Sequence, residues 1–70
     1  MSDKVQAIKA LLQGKSDQEV EVLYNGVEFN YVGYDADSDT AFLFSDEHDI
    51  ECDIDDTLPK HVLDTILYYL

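Results

Sequence analysis

The first apolar residues of the chain recur at the spacing of a helix. They are Val5, Ile8, Leu11 and Leu12. Steps of three to four residues place such side chains on one face, and Gly14 follows as a C-terminal stop. We predict an amphipathic helix over residues 3–13, with Ser2 as its N-cap. Its outer face is expected to carry Lys4 and Lys9.

From Glu19 onward the pattern alternates with a period of two, which predicts strands. The apolar positions expected on one face are Val20, Val22 and Tyr24 in the first strand and Val27, Phe29 and Tyr31 in the second. Between these strands stands Asn25-Gly26, the strongest short signal for a β-hairpin. In the second strand, Gly33 predicts a bulge or a close packing contact.

Two further strands follow, each after a polar turn. They are predicted over residues 40–44 and residues 50–55. In the later strand, Ile50, Cys52 and Ile54 alternate with acidic residues, so these three side chains are expected to face the interior.

The last apolar residues return to helical spacing. They are Val62, Leu63, Ile66, Leu67 and Leu70. Asp56 or Thr57 is predicted to cap this helix, and Pro59 fits its first turn. The element order is therefore α-β-β-β-β-α in a single domain over residues 1–70. The fold class is α+β, with a four-stranded antiparallel meander covered on one face by two helices.

Part of the strand region resembles the Sm/Lsm small-barrel family. That pattern begins with a helix, then has V-x-V, a Gly turn and a G-F-D-x-x-x-N step, and residues 20–43 follow it through Gly26 and Gly33-Tyr34-Asp35. The resemblance implies a small Sm/SH3-like open barrel as the alternative fold. The positions that bind RNA in that family have no counterpart here, since Asp39 stands in the place of the Asn.

The charge of the chain is concentrated in its strand region. The net charge is −12, the chain contains no arginine, and fourteen of its sixteen acidic residues lie between Asp17 and Asp56 with no lysine among them. Such a field repels nucleic acid and anionic membranes and attracts basic surfaces. The other interpretation is a solvated surface or adaptation to a salty cytoplasm, which the excess of Asp over Glu, eleven to five, favours.

Alternation along the strands places many of these acids on one face of the sheet, and tyrosine is a frequent hot-spot residue of interfaces. The residues predicted to contact a partner are Glu19, Glu21, Glu28, Tyr34, Asp35, Asp37, Asp39, Glu51, Asp53 and Asp55.

One acidic string resembles a catalytic motif. Residues 53–58, Asp-Ile-Asp-Asp-Thr-Leu, are similar to the D-x-D-x-T-L nucleophile motif of haloacid-dehalogenase-type phosphatases. The resemblance would make Asp53 the nucleophile and Asp55 the acid/base. That family also needs a hydrophobic parallel strand before the motif and further motifs after it, and only twelve residues follow Leu58. We therefore predict no enzymatic activity and no catalytic residue.

Asp35, Asp37 and Asp39 match the first, third and fifth positions of an EF-hand-type calcium loop. The sixth position is Thr40 where the sharp turn needs Gly, and the flanks have the pattern of strands. Weak calcium binding is thus an alternative, while no dedicated metal site or cofactor is predicted.

These patterns together predict a small acidic binding protein that inhibits a basic, nucleic-acid-binding partner. In size and charge it looks like phage-encoded DNA-mimic inhibitors, including anti-CRISPR and anti-restriction proteins, and an immunity protein or antitoxin would use the same physics. The alternative is a non-enzymatic accessory or assembly protein whose acidity only serves solubility. Lone Cys52, the absence of a long apolar run and the start Met1-Ser2-Asp3 favour a cytoplasmic location. The oligomeric state stays open.

Overall fold

The four strands follow one another in an antiparallel meander between two helices. A computed structural model describes residues 3–70 of the chain. The elements are α1 (Asp3–Leu12), β1 (Gln18–Tyr24), β2 (Val27–Asp35), β3 (Thr40–Ser45), β4 (Ile50–Ile54) and α2 (Lys60–Tyr69). The strand order is β1-β2-β3-β4, so β1 and β4 form the two edges of the sheet. The predicted α+β fold is confirmed.

The β1–β2 hairpin turns at the predicted dipeptide. Asn25 and Gly26 have φ angles of 54° and 76°, and positive φ at both central residues defines the turn that matches the twist of the flanking strands. Asn tolerates this backbone region better than most residues and Gly adopts it freely, so the dipeptide sets the position of the turn and the pairing of the residues beside it.

Both helices pack on the same face of the sheet, which we call the inner face. Helix α2 lies against β1 and α1, and α1 also contacts β2 and β3. The core between these layers consists of Val5, Ile8, Leu12, Val20, Val22, Phe29, Val32, Ala41, Leu43, Ile54, Leu58, Val62, Leu63 and Ile66. In the described part of the chain, neither helix is long and apolar enough to cross a membrane.

Helix α1 differs from its prediction in two respects. Leu11 is 40% exposed, because the buried line of the helix runs through Val5, Ile8 and Leu12 and leaves its neighbour to one side. The side chain of Lys9 is only 12% exposed and its Nζ lies 3.8 Å from a carboxylate oxygen of Asp39, so it does not lie on a free outer face. The predicted cap, Ser2, falls outside the described residues.

Lys4 bridges the two helices rather than pointing to bulk solvent alone. Its ammonium donates a hydrogen bond to the carboxylate of Asp64 in α2, and this pairing lowers the pKa of Asp64. The expectation that the lysines form an outer face is therefore wrong. Lys4 joins helix to helix, and Lys9 joins helix to sheet.

Helix α2 begins later than predicted. Pro59 is its N-cap residue and makes no side-chain capping hydrogen bond, so the proposed cap at Asp56 or Thr57 is wrong. The preceding residues form a turn of their own, in which the N–H of Leu58 donates to the carbonyl of Asp55 at 3.2 Å. The carboxylate of Asp55 accepts the N–H of Thr57 at 2.9 Å. Local capping groups are thus used one turn upstream of the helix.

Strand β2 changes its buried side midway. Phe29 and Val32 are both buried although they are three residues apart, so one regular alternation cannot hold for the whole strand. Opposite this point β1 carries an extra residue, since Glu19 pairs with Tyr31 and Val22 pairs with Phe29. This is a β-bulge, which bends the strands and re-aims side chains. The bulge lies in β1 and not at Gly33.

Candidate partner-binding face

Three aromatic side chains lie on the face of the sheet that the helices leave uncovered, which we call the outer face. Tyr31, Phe42 and Phe44 are half-buried and do not belong to the set packed against the core. In β3 the buried residues Ala41 and Leu43 alternate with Phe42 and Phe44, which places the two phenyl rings opposite the helices. We call Tyr31, Phe42 and Phe44 the aromatic strip.

One row of the outer face crosses all four strands. Glu19 pairs with Tyr31, Tyr31 with Phe44, and Phe44 with Glu51. Neighbouring strands lie about 4.8 Å apart, so the two glutamate backbones are about 14 Å apart with two rings between them. The aromatic residues form the centre of this row and the carboxylates form its ends.

A second row runs through Gly33, which pairs with Phe42, and Phe42 pairs in turn with Asp53. A Cβ atom at Gly33 would lie 2.7 Å from Cζ of Phe42 and 2.5 Å from Oδ1 of Asp17. The phenyl ring and the Asp17 carboxylate therefore share the space above the glycine. Gly33 is needed for close packing, which is one of the two roles predicted for it.

Carboxylates border the aromatic strip on both sides. Asp17 and Glu19 lie at the β1 side, and Glu51 and Asp53 lie on β4; all four residues are exposed. We call these four residues the acidic rim. The two lysines of α1 are paired with Asp39 and Asp64, which are not members of the rim.

The turn between β2 and β3 is internally bonded. The hydroxyl of Tyr34 donates to Oδ1 of Asp39 at 2.6 Å, and Oδ1 of Asp35 accepts the N–H of Asp37 at 3.0 Å. The bond to Asp39 is the main reason why the pKa of Tyr34 is raised above its usual value. Among residues 3–70, no three His, Cys, Asp or Glu side chains are arranged to hold a metal ion. The carboxylates of Asp35 and Asp39 thus accept hydrogen bonds within the turn, and that of Asp39 also pairs with Lys9.

The remaining predicted contact residues are spread over the molecule. Tyr34 packs against the core and so lies on the inner face, and Asp37 is exposed in the turn. Asp55 follows β4, and its hydrogen bonds from the hydroxyl and N–H of Thr57 lower its pKa. Glu21 and Glu28 are exposed toward the hairpin.

Two open grooves are lined by both acidic residues and rings of the aromatic strip. The larger, of about 600 Å³, runs along β1 and is lined by Glu19, Val20, Glu21, Glu28, Asn30, Tyr31 and Tyr69. The smaller, of about 260 Å³, is lined by Asp35, Ser38, Thr40, Phe42, Glu51 and Asp53. The structure thus brings all four predicted glutamates, together with Asp35 and Asp53, into grooves lined by aromatic side chains that sequence reasoning did not select.

Cys52 lies at the inward position that its alternation predicts, whereas Ile50, expected to face the interior by the same pattern, is 41% exposed. It is half-buried and packs against the core from β4. Burial raises the pKa of the thiol, and the charges of Asp53 and Asp55 raise it further. A raised pKa favours the neutral thiol, whereas a cysteine nucleophile requires a lowered one.

Comparison of the chain with known protein families, with curated proteins and with solved structures finds no match. No activity, ligand or partner is therefore suggested by a relative. The aromatic strip and the acidic rim supply the chemistry from which a function is inferred.

Proposed function

We propose that the chain is a small acidic binding protein that occupies the nucleic-acid-binding surface of a basic partner and so inhibits that partner. The observation that carries the proposal is the position of the acidic rim on the one sheet face that neither helix covers. Acidic residues that serve only solubility would be expected over the whole surface and not specifically beside an uncovered aromatic strip.

The spacing of the carboxylates supports an anionic surface that imitates nucleic acid. Neighbouring strands lie about 4.8 Å apart and alternate residues along a strand about 6.6 Å apart, distances comparable with the charge spacing of a nucleic-acid backbone. A protein that grips phosphates with Lys and Arg offers the complementary surface. Association is expected to be fast through electrostatic steering and to weaken steeply with salt.

The proposed inhibitor is not an enzyme and acts in the cytoplasm, where a lone thiol such as Cys52 stays reduced. Its class is that of phage-encoded DNA-mimic inhibitors such as anti-CRISPR proteins, or of immunity proteins and antitoxins that neutralise a basic nuclease. These classes share one physical requirement, which is a dense anionic face presented to a cationic site.

Affinity capture from a host lysate at about 50 mM and about 500 mM salt tests the proposal. We expect nucleic-acid-binding proteins to be captured at low salt, lost at high salt and displaced by added duplex DNA. The variant Glu19→Gln/Glu51→Gln/Asp53→Asn should lose this capture. Capture of proteins that do not bind nucleic acid, or capture insensitive to salt and DNA, would contradict the proposal.

A matched control variant removes the same number of charges from the β3–β4 turn. The changes Asp46→Asn, Glu47→Gln and Asp49→Asn leave the acidic rim intact and remove as much negative charge as the rim variant does. We expect this control to retain capture. Equal loss in both variants would show that total charge, rather than the outer face, determines binding.

A second candidate function is that of an accessory or assembly protein whose acidity serves solubility. The observation in its favour is a set of exposed apolar side chains outside the outer-face centre, with Leu23 71% and Tyr68 84% exposed. In that case Leu23→Ser and Tyr68→Ser would abolish partner binding while the rim variant would keep it.

A further inference from the structure

The aromatic strip distinguishes the outer face from a plain anionic surface. Imitation of phosphate charge needs carboxylates but no rings, yet Tyr31, Phe42 and Phe44 form the centre of the face. Carboxylates stand at both ends of the first row, and Asp53 and the carboxylate above Gly33 lie on either side of Phe42 in the second. An uncovered aromatic centre with a charged border is the usual arrangement of a protein contact surface. We therefore expect a partner group that contacts the rings as well as the carboxylates.

Each ring has a carboxylate as its direct cross-strand neighbour. The pairs are Tyr31 with Glu19, Phe44 with Glu51, and Phe42 with Asp53. Directly paired residues have Cβ atoms about 4.5–5.5 Å apart on the same face of the sheet. Phe42 has an additional acid close by, because its Cζ and Oδ1 of Asp17 both lie within 2.7 Å of the same point above Gly33.

A ring beside a carboxylate matches the two surfaces of a guanidinium group. The flat face of guanidinium stacks on an aromatic ring, and its N–H edge donates two hydrogen bonds to one carboxylate. A lysine ammonium is a compact, strongly hydrated charge with no flat face, so it uses the carboxylate but gains less from the ring. The three pairs thus favour arginine over lysine.

Other occupants fit the outer face less well. A second copy of the chain would bring a like net charge of −12 against the rim, and nucleic acid would be repelled in the same way. An uncharged apolar surface would cover the rings but strip water from the rim carboxylates without pairing them. Both helices of the chain already pack on the inner face. Charge complementarity therefore selects a cationic protein surface.

We propose that the outer face binds arginine side chains, each stacked on a ring of the aromatic strip and bonded to the neighbouring rim carboxylate. This inference rests on the proposed function and names the chemistry of the partner, which is an arginine-rich rather than a lysine-rich surface.

Calorimetric titration of the whole protein with an arginine homopeptide and a lysine homopeptide of equal length tests the proposal. We expect tighter binding of the arginine peptide. The double variant Phe42→Leu/Phe44→Leu keeps every charge and should weaken arginine-peptide binding by roughly two- to fivefold for each ring, with a smaller effect on the lysine peptide. The control Tyr68→Leu removes a highly exposed aromatic residue from α2 and should leave both affinities unchanged.

Ring signals of the unaltered protein provide a test that does not depend on how the variant folds. The chain has three phenylalanines, and Phe29 is buried in the core as an internal reference. During titration with N-acetyl-arginine amide, the ring resonances of Phe42 and Phe44 should shift while those of Phe29 stay fixed. N-acetyl-lysine amide at equal concentration should shift them less.

The outcomes separate this inference from the proposed function. Equal binding of the two peptides, with no effect of the double variant and no ring shifts, would overturn the arginine inference and leave the charge-based function standing. Failure of both peptides to bind at low salt would overturn the proposed function itself.

Discussion

The two faces of the sheet are built from different side chains although they share the same four strands. On the inner face, Val32 and Leu43 are fully buried beneath the helices. On the outer face, Phe42 and Phe44 are half-buried, and each is paired with a carboxylate residue of β4. From Ala41 to Phe44, strand β3 alternates between buried aliphatic and outer aromatic residues. Aliphatic side chains hold the fold together on one face, and the other is left for contact.

The largest expected effect separates the faces by stability. Leu43→Ala removes a fully buried side chain and should lower the free energy of unfolding by about 3 kcal/mol through lost burial and a residual cavity. Phe44→Leu, on the adjacent residue but the opposite face, should lower it by less than about 1 kcal/mol. Urea denaturation measures both. Similar losses would break the distinction between the two faces.

Gly33→Ala should affect the outer face more than the fold. The added Cβ meets Oδ1 of Asp17 and Cζ of Phe42, which are both ends of side chains and are free to move aside. We expect a loss of about 1 kcal/mol in the free energy of unfolding and a severalfold loss of arginine-peptide affinity. Chemical shifts of the Phe42 ring report its displacement. A variant that binds normally would show that the position of this ring is unimportant.

Salt should stabilise the protein through its outer face. Carboxylates of like charge repel one another along the rim, and added salt screens this repulsion. We expect the thermal midpoint to rise by roughly a few degrees between low and high salt. The rise should be smaller for Glu19→Gln/Glu51→Gln/Asp53→Asn, measured by circular dichroism. An equal rise in that variant would assign the repulsion to other parts of the chain.

The smallest effect concerns Asp55, which lies just beyond the outer face. Its pKa is lowered by the hydrogen bonds from Thr57, so its contribution to stability is present above the ordinary aspartate pKa and is lost as pH falls through the lowered value. Thr57→Val removes the hydroxyl and should raise the pKa of Asp55 toward the ordinary value in an NMR titration. An unchanged pKa would mean that the hydroxyl bond does not form in solution.

The local sequence pattern predicted most of the helices, strands and turns. It failed where the pairing of two strands determines which side chains are buried. Asn25-Gly26 and the alternation around it predicted the first hairpin because turn chemistry and side-chain period are local properties. The change of side between Phe29 and Val32 arises from the extra residue in β1, which is a property of strand pairing. For this reason the predicted inward position of Tyr31 was wrong.

The acidic part of the face was predictable and the aromatic part was not. Glu51 and Asp53 alternate with apolar residues, so their side of β4 could be inferred from sequence. Residues 41–44 are apolar without interruption, and such a run gives no indication of which side chains face the core. Only the pairing of β3 with both neighbours reveals that Phe42 and Phe44 lie between the acids.

The location of the acidic rim on edge strands has a further consequence. Edge strands expose unpaired backbone groups that can add another chain, and charged side chains are a common protection against such aggregation. Glu19 lies on β1, and Glu51 and Asp53 lie on β4, so the rim charges both edges of the sheet. Replacement of these carboxylates by Gln and Asn would remove this protection. The carboxylates proposed to bind a partner thus also protect the edge strands from pairing with other copies of the chain.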